Sequence, residues 1–305
     1  MAYLSPANFV QNPEALNRVW TPDESLSYTR WLATSHYENF HVVSFLLPKK
    51  LHQDFYNVYS FCRWADDLGD EIGDKAESLR LLEWWSLELN RMYAGEAQHP
   101  VYVALLSTVR KHDLPIEPFS DLIHAFIQDQ QISRYPDWSD VLGYCRYSAN
   151  PVGRLLLYLC GYRDAERQRL SDSTCTALQL ANFWQDVSVD LKKDRVYIPQ
   201  SVMASHGYSD ADLFGGVEDA RFQSVMRDVV ARARELFLEG LPLPGMVDRR
   251  LAVDLELFSR GGLLVLDKIE RQEYRVLRSR PAIGKLERAG LLLSTLLRMA
   301  FGRAA

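Results

Sequence analysis

The sequence predicts an all-α protein, a single-domain helical bundle built around a central cavity. Apolar residues recur at helical spacing from about residue 51 to the last helix, and no alternating run predicts a strand. Two of the predicted helices also carry a stripe of polar side chains on a surface that is otherwise apolar. Such a stripe inside a bundle must face a cavity or an ion, because unpartnered polar groups are costly to bury.

Composition excludes several classes of protein. The chain has 305 residues, 47% of them hydrophobic and 25% charged, which is enough to bury a core without disulfide bonds. The four cysteines form no C-x-x-C pair, so neither a zinc site nor a redox motif is expected: Cys62, Cys145, Cys160 and Cys175. A net charge of −5 predicts no nucleic-acid partner. The sequence shows no secretion signal and no long apolar run, which predicts a cytoplasmic protein.

The elements are predicted in chain order. Pro6, Pro13 and Pro22 punctuate the start, so we expect an irregular N-terminal arm over 1–35 and one all-α domain over 36–305. Helices are predicted at about 51–71, 76–93, 100–112, 117–130, 138–148, 152–162, 170–190, 219–238, 249–278 and 284–301. Asn150-Pro151 marks a helix start, and a long loop is expected at about 195–218.

The first acidic stripe ends an apolar helix. Asp66 and Asp70 are four residues apart, and they continue the face that carries Phe55, Tyr59 and Cys62. Like charges at this spacing destabilise a helix, and buried unpaired carboxylates cost far more. The stripe therefore predicts a compensating cation.

The second stripe lies on the helix predicted at 170–190. Asn182, Asp186 and Asp190 recur every four residues, and Gln179 precedes them by one turn. The remaining faces are apolar, so the helix should be buried. All of these donors are oxygens, which suit Mg²⁺ shared with the phosphates of a substrate. One such stripe is usually a solvated face, but two stripes on apolar helices favour a site.

Basic residues accompany both stripes. Arg63 precedes Asp66 by three residues, and Lys192, Lys193 and Arg195 follow the second stripe within about a turn. Such cations can bind phosphate oxygens while a metal bridges carboxylate to phosphate. Surface charge explains each base equally well when it is taken alone.

At these residues the chain resembles the squalene/phytoene synthase family, from about His36 to the final helix. The matching pieces are Tyr37-Glu38-Asn39-Phe40, Leu46-Leu47-Pro48, Tyr59 to Arg63 leading into Asp66 to Glu71, Gly143-Tyr144-Cys145, Pro151-Val152-Gly153, Gln179 to Asp190, and Arg195 to Pro199. Any one piece is common, but the ordered set is specific. The resemblance implies an isoprenoid-synthase fold whose two acidic helices bind magnesium diphosphate.

The resemblance also implies roles for individual residues. The catalytic set would be Tyr59, Arg63, Asp66, Asp70, Asn182, Asp186 and Asp190, of which the five stripe residues Asp66, Asp70, Asn182, Asp186 and Asp190 would also hold Mg²⁺. The substrate-binding set would be His36, Tyr37, Asn39, Phe40, Tyr144, Gln179, Lys192, Lys193 and Arg195. Core packing explains the aromatic members equally well. NADPH is not expected, because the chain has no Gly-x-Gly-x-x-Gly fingerprint after a strand.

Three details resemble the branch of the family that converts presqualene diphosphate to hydroxysqualene, on the way to bacterial squalene and hopanoids. Gln185 stands where many members that join two prenyl diphosphates carry arginine. Two segments also depart from the commoner family patterns: Gln128-Asp129-Gln130 and Ser148-Ala149-Asn150-Pro151-Val152-Gly153-Arg154. Loss of an arginine is compatible with a site that handles one diphosphate and not two.

Other functions remain open. Enzyme alternatives are synthesis of presqualene diphosphate, squalene, phytoene or dehydrosqualene. A noncatalytic assembly factor on the same fold, or a helical scaffold whose acids bind cations, would be a different class, but both stripes are intact and favour catalysis. The last helix carries Lys285, Arg288 and Arg298 beside leucines and could rest on the inner face of a membrane, although core packing explains it too. The sequence does not indicate the oligomeric state.

Overall fold

The computed structural model describes residues 3–35 and 48–301, with side chains up to residue 298. Within these ranges the chain is helical, and the one extended pairing is an isolated parallel bridge between Arg134 and Val196. The predicted all-α class is therefore confirmed. No helix in the described ranges is long and apolar enough to cross a membrane. The predicted substrate-binding residues His36, Tyr37, Asn39 and Phe40 lie outside the described residues.

The described residues form fifteen α-helices. They are α1 (Pro6–Val10), α2 (Pro13–Leu16), α3 (Pro22–Ser35), α4 (His52–Asp70), α5 (Lys75–Tyr93), α6 (Pro100–His112), α7 (Glu117–Asp129), α8 (Trp138–Ser148), α9 (Asn150–Leu159), α10 (Ala165–Asp190), α11 (Gln200–Ser205), α12 (Asp210–Phe214), α13 (Ala220–Gly240), α14 (Arg249–Arg271) and α15 (Lys285–Phe301). Short 3₁₀ turns lie at Lys49–Leu51, Leu191–Lys193 and Leu243–Met246.

The N-terminal arm is not irregular, contrary to the prediction. Pro6, Pro13 and Pro22 each begin a helix, because the missing N–H group and fixed φ of proline suit the first turn. Tyr28 and Leu32 of α3 are fully buried in the core. These three prolines therefore start helices and do not interrupt the chain.

Two other predicted boundaries move. The helix predicted to run to residue 278 ends at Arg271, because Glu273 and Tyr274 adopt left-handed φ angles of 52° and 63°. The predicted long loop at 195–218 contains α11 and α12. In α12, Ser209 and Asp212 form a capping box that satisfies the free N–H groups of the first turn.

The chain divides into two compact units. The first consists of Met1–Gln131 and Arg154–Arg163, and the second of Ile132–Gly153 and Asp164–Ala305. The first acidic stripe belongs to the first unit and the second stripe to the second. The facing of the two stripes across a central cavity, and the boundary at residue 36, remain predictions.

Helix α4 lies at the centre of the first unit, where it packs against α3, α5, α6 and α7. Trp64 of α4 stacks on Trp85 of α5, with ring centroids 5.1 Å apart and an interplanar angle of 11°. The ring of His99 meets Trp64 edge-on at 4.3 Å. Burial of these rings fixes α4, and with it the acidic end of that helix.

A buried amide fixes the rotation of α4 about its own axis. Asn57 donates to the carbonyl of Ala104 at 3.1 Å and to the hydroxyl of Thr108 at 3.0 Å, both on α6. Its side-chain oxygen accepts from Thr29 of α3 at 2.7 Å and from Gln53 at 3.0 Å. The amide is thus fully satisfied, and a rotated α4 would lose these bonds.

In the second unit α10 packs against α8, α13 and α14. At its contact with α13, a Cβ atom on Gly240 would lie only 2.0 Å from the Thr174 hydroxyl oxygen, so glycine is required. Trp184 is fully buried and meets Trp138 of α8 edge-on at 6.2 Å. These contacts anchor the helix that carries the second stripe.

Candidate active site

The first stripe is organised by one arginine. Arg63 lies 2.6 Å from Asp67 and 3.7 Å from Asp66, measured between side-chain nitrogen and oxygen. Burial alone would lower the pKa of Arg63, but the carboxylates of Asp67 and then Asp66 outweigh it and raise that pKa. The Asp67 side chain is 5% exposed and that of Asp66 is 48% exposed. The buried acid Asp67 was not selected from the sequence. It lies four residues after Arg63, a spacing that allows an ion pair on one helix face.

The remaining acids of this stripe lie where a helix tolerates them least. Asp70 is the last residue of α4, Asp66 lies one turn before it, and the last turn of the helix carries no base. The carboxyl end of a helix has a partial negative charge, so acids there are unfavourable unless a cation binds. Tyr59, one turn before Arg63, also contributes to the electrostatic environment of that guanidinium.

The end of α7 contacts this acidic turn. Gln130, just after α7, donates its side-chain amide to the carbonyl of Gly69 at 3.0 Å. That carbonyl lies between the acids of the stripe and is one of the groups that a helix end leaves unpaired. The Gln128–Gln130 segment, which departs from the family pattern, thus supports the position of the stripe.

The second stripe lies at the end of α10, as its spacing predicts. Asn182 is exposed and Asp186 and Asp190 are half-buried, while Phe183 and Trp184 between them are buried. The last turn of α10 carries one acid, Asp190, and no base, and Asp186 lies one turn before it. The arrangement repeats that of α4, with acids at the negative end of a buried helix.

The second stripe is bound by a cation that is distant in the sequence. Arg280 binds both carboxylate oxygens of Asp186, the second through a 3.1 Å contact. The hydrogen bond to Asp186 raises the pKa of Arg280, and the charge of Asp190 acts in the same direction. Beside this pair, Gln185 donates its side-chain amide to the carbonyl of Pro281. No sequence signal pointed to Arg280, because it is 94 residues from its partner.

The turn after α10 is held by Arg134, which the sequence analysis did not select. Its guanidinium binds the Asp194 carboxylate and carbonyl at 2.6 Å each and Asp210 at 3.0 Å. Asp194 has a left-handed φ of 56°, so the chain turns sharply there. These bonds fix the turn that carries Arg195.

Two predicted site residues meet in a recess beside this turn. Asp190 and Arg195 both line a small recess, together with Phe183 and Tyr197. The rings of Phe183 and Tyr197 stack at 3.7 Å. Tyr144 packs behind them, 5.7 Å from Tyr197 and almost fully buried. Asp190 and Arg195 thus lie beside a packed cluster of three aromatic rings.

The structure thus gathers the predicted residues in two groups. Tyr59, Arg63, Asp66 and Asp70 lie on consecutive turns in the first unit. Asn182, Asp186, Asp190 and Arg195 lie together in the second, with Gln179 one turn earlier and with Lys192 and Lys193 exposed on the intervening 3₁₀ turn. The contacts of Asp67, Gln130, Arg134 and Arg280 are not predicted by the sequence patterns.

The oxygen donors fit a shared divalent cation. Among the described residues, no group of three or more His, Cys, Asp or Glu side chains is close enough to enclose a metal. Mg²⁺ does not need such a cage, because it usually binds one or two carboxylates, several waters and the phosphates of a substrate. Each helix end offers two carboxylates without a base on the same turn, which fits that mode of binding.

The all-α fold of the described residues is that of the isoprenoid synthases. The squalene/phytoene synthase model matches residues 33–287. The chain belongs to the squalene/phytoene synthase family.

Three relatives illustrate the range of this family. The chain is similar to a crystal structure of the squalene synthase HpnC from Alicyclobacillus acidocaldarius, with 44% identity, a TM-score of 0.79, and coverage of 83% of this chain and 95% of that one. A hydroxysqualene synthase of Zymomonas mobilis is 31% identical over 73% of this chain and 75% of its own length. A 15-cis-phytoene synthase of Synechococcus elongatus is 29% identical over 84% of this chain and 87% of its own.

Proposed function

We propose that this chain converts presqualene diphosphate to hydroxysqualene and inorganic diphosphate. The observation that carries the proposal is Gln185, a buried neutral amide at the position where relatives that join two prenyl diphosphates often carry arginine. An arginine would bring a fixed charge and a bidentate fork for a second diphosphate, and glutamine brings neither. The similarity to a hydroxysqualene synthase supports the same choice.

In this reaction the carbon–oxygen bond to the diphosphate breaks, the resulting cyclopropylcarbinyl cation rearranges, and water adds and loses a proton. Asp66 and Asp70 on α4, with Asn182, Asp186 and Asp190 on α10, would hold Mg²⁺. The metal would supply positive charge to the departing diphosphate.

The protein's own cations share that task. Arg63 is fixed by Asp67, so its guanidinium is already oriented beside Asp66 before any ligand binds. Arg195 lines the small recess after α10, and Lys192 and Lys193 lie in the turn just before it. Fixed cations near a leaving group stabilise the charge that develops on it, which is usually a large part of catalysis. Aromatic rings that line the substrate site would stabilise a carbocation and exclude bulk water.

The test offers one substrate at a time to the purified protein. Presqualene diphosphate and farnesyl diphosphate are supplied separately with Mg²⁺ and without NADPH, and the products are identified by mass spectrometry. Presqualene diphosphate should give hydroxysqualene, and farnesyl diphosphate should give little product. Accumulation of presqualene diphosphate from farnesyl diphosphate would instead assign the first coupling step. No diphosphate release from either substrate would favour a noncatalytic assembly factor or a cation-binding scaffold.

The second candidate is head-to-head coupling of two prenyl diphosphates, to presqualene diphosphate, squalene, phytoene or dehydrosqualene. Arg280 favours it, because this residue places a guanidinium on Asp186 and so replaces the cation that Gln185 lacks. Geranylgeranyl diphosphate is therefore a necessary third substrate in the assay. Phytoene from this substrate would select the coupling function, and squalene formed only with NADPH would select the reductive synthase.

We also propose that the enzyme works in the cytoplasm, with a peripheral contact to the inner face of the membrane. Leu286, Leu293 and Leu297 of α15 are exposed, and they recur along one side of the helix. Basic residues near them, such as Arg298, complement an anionic lipid surface. Co-sedimentation with vesicles containing phosphatidylglycerol should be lost in a Leu293→Ser/Leu297→Ser variant. Equal sedimentation of both proteins, or none with either, would contradict the proposal.

A further inference from the structure

The segment between α14 and α15 is attached to the second stripe through two adjacent side chains of α10. Gln185 is 7% exposed and donates to the carbonyl of Pro281. Its neighbour Asp186 accepts both contacts from Arg280. Gln185 thus binds the backbone of the segment at Pro281, and Asp186 binds the side chain of Arg280.

The same segment is anchored independently a few residues earlier. The backbone N–H of Leu277 donates to a carboxylate oxygen of Glu218 at 2.8 Å, and Arg278 lies 3.2 Å from the other oxygen. The Glu218 side chain is almost fully buried. Since Glu218 and Gln185 fix the backbone on both sides of Arg280, its side chain can leave Asp186 without release of the segment.

We propose that Arg280 is an exchangeable counter-ion of the second stripe, which holds Asp186 in the metal-free protein and yields this carboxylate to a divalent cation. Gln185 is the positioning residue that keeps Arg280 close to Asp186. The proposal rests on the metal-binding role assigned to Asp186 under the proposed function. It does not depend on which prenyl diphosphate is the substrate.

The geometry favours the exchange. One guanidinium engages both oxygens of the Asp186 carboxylate, and its positive charge repels a divalent cation, so a metal ion that binds this carboxylate competes with Arg280. The Arg280 side chain is 40% exposed and that of Asp186 is 27% exposed. A partly solvated pair contributes little to stability, so its separation is readily offset by metal binding. The released guanidinium stays within reach of an anion bound at the stripe, because the backbone is fixed.

The first test measures metal binding without substrate. Mn²⁺ is titrated into the wild-type protein and an Arg280→Gln variant, and free Mn²⁺ is followed by electron paramagnetic resonance. Because the variant lacks the competing cation, its affinity for Mn²⁺ should rise, by roughly fivefold for a pair of this exposure. Arg275→Gln is the matched control, with the same charge change on the same segment but an exposed partner, Glu273, and should leave the affinity unchanged. An unchanged or weaker affinity in Arg280→Gln, or no Mn²⁺ binding to either protein, overturns the proposal.

The second test detects release of the arginine directly. Phenylglyoxal modifies exposed guanidinium groups, and mass spectrometry reports the rate at each arginine. Mg²⁺ should accelerate modification of Arg280 and leave that of Arg278 unchanged. Equal rates at Arg280 with and without Mg²⁺ would show that the pair is permanent.

The third test asks whether Gln185 acts through Arg280. Gln185→Leu removes the amide donor, so backbone amides near Pro281 should exchange hydrogen faster and Mn²⁺ affinity should rise towards that of Arg280→Gln. The double variant should bind Mn²⁺ no more tightly than Arg280→Gln alone, whereas a merely structural role would give additive effects. Gln185→Asn keeps an amide on a shorter side chain and should restore part of the wild-type affinity. Additive effects in the double variant would overturn the role of Gln185.

Failure of this proposal and failure of the proposed function are distinguishable. The metal and modification tests contain no prenyl substrate, so a different product in the substrate assay leaves them unaffected. Conversely, the protein could form hydroxysqualene while Arg280→Gln leaves its Mn²⁺ affinity unchanged. That result would support the proposed reaction and contradict the exchange of Arg280.

Discussion

The two acidic stripes solve the same electrostatic problem with cations of different origin. Each stripe ends a buried helix, where the helix itself disfavours acids and no base lies on the last turn. On α4 the compensating Arg63 comes from the same helix, one turn away, and binds a buried acid. On α10 the compensating Arg280 comes from 94 residues away and binds a partly exposed acid.

This difference separates a fixed charge from a movable one. The Arg63–Asp67 pair is mostly buried, so separating the two charges would leave each without solvation. Arg63 is therefore a permanent part of its site. The Arg280–Asp186 pair is partly solvated and can separate at small cost.

The largest effect is expected when a carboxylate, the group that the two stripes share, is removed. Asp66→Ala and Asp186→Ala should each lower the rate of diphosphate release by about 10³-fold, because each removes a carboxylate that would hold the metal. Folding should persist, since loss of one acid from a like-charged stripe relieves repulsion. Release is measured at saturating substrate and Mg²⁺, and circular dichroism reports folding.

Glu166→Ala supplies the matched control for that prediction. Glu166 is an acid at the other end of α10, paired on the surface with Arg169, so its loss should leave turnover within about twofold. Near-normal turnover in Asp66→Ala or Asp186→Ala would refute the assigned role of that stripe.

The comparison also shows what sequence could predict. Both stripes and Arg63 were found from the sequence because their partners lie one helical turn apart, and local spacing is visible in sequence. Arg280 and Arg134 were missed because their contacts depend on how distant segments pack. Most helix positions were predictable from periodicity, but α1 to α3 were missed because a proline that begins a helix resembles one that interrupts it, and the short α11 and α12 lie in a predicted loop. The pairing of the stripes and the substrate choice stay predictions.

The next prediction compares a buried acid, Asp67, with an exposed one, Asp66, near the end of α4. Asp67→Asn should lower the free energy of unfolding by about 2 kcal/mol, because it leaves a mostly buried guanidinium with only the more distant Asp66. Asp66→Asn, the neighbouring change of the same size, should alter it by less than about 0.5 kcal/mol. Urea unfolding measures both, and equal losses would show that Asp67 is not the structural partner of Arg63.

A smaller effect tests the support of the first stripe by α7. Gln130→Leu should lower the free energy of unfolding by about 1 kcal/mol, because the half-buried carbonyl of Gly69 loses a hydrogen-bond donor. The matched control is Gln128→Leu, a change two residues away in the same segment. If the two variants lose equal stability, the loss comes from the apolar substitution itself and not from the contact with Gly69.

The smallest effect separates the two ion pairs by their response to salt. Double-mutant cycles on Arg280–Asp186 and Arg63–Asp67 measure each coupling free energy from urea unfolding in about 0.1 M and about 1 M NaCl, where the Debye lengths are about 10 Å and 3 Å. The exposed Arg280–Asp186 coupling should be only about 0.5 kcal/mol and should largely vanish at high salt. The buried Arg63–Asp67 coupling should be larger and should persist, because solvent ions cannot enter between its charges. If both couplings fall in the same proportion, the two cations are equally solvated, and the distinction between a fixed and a movable charge is wrong.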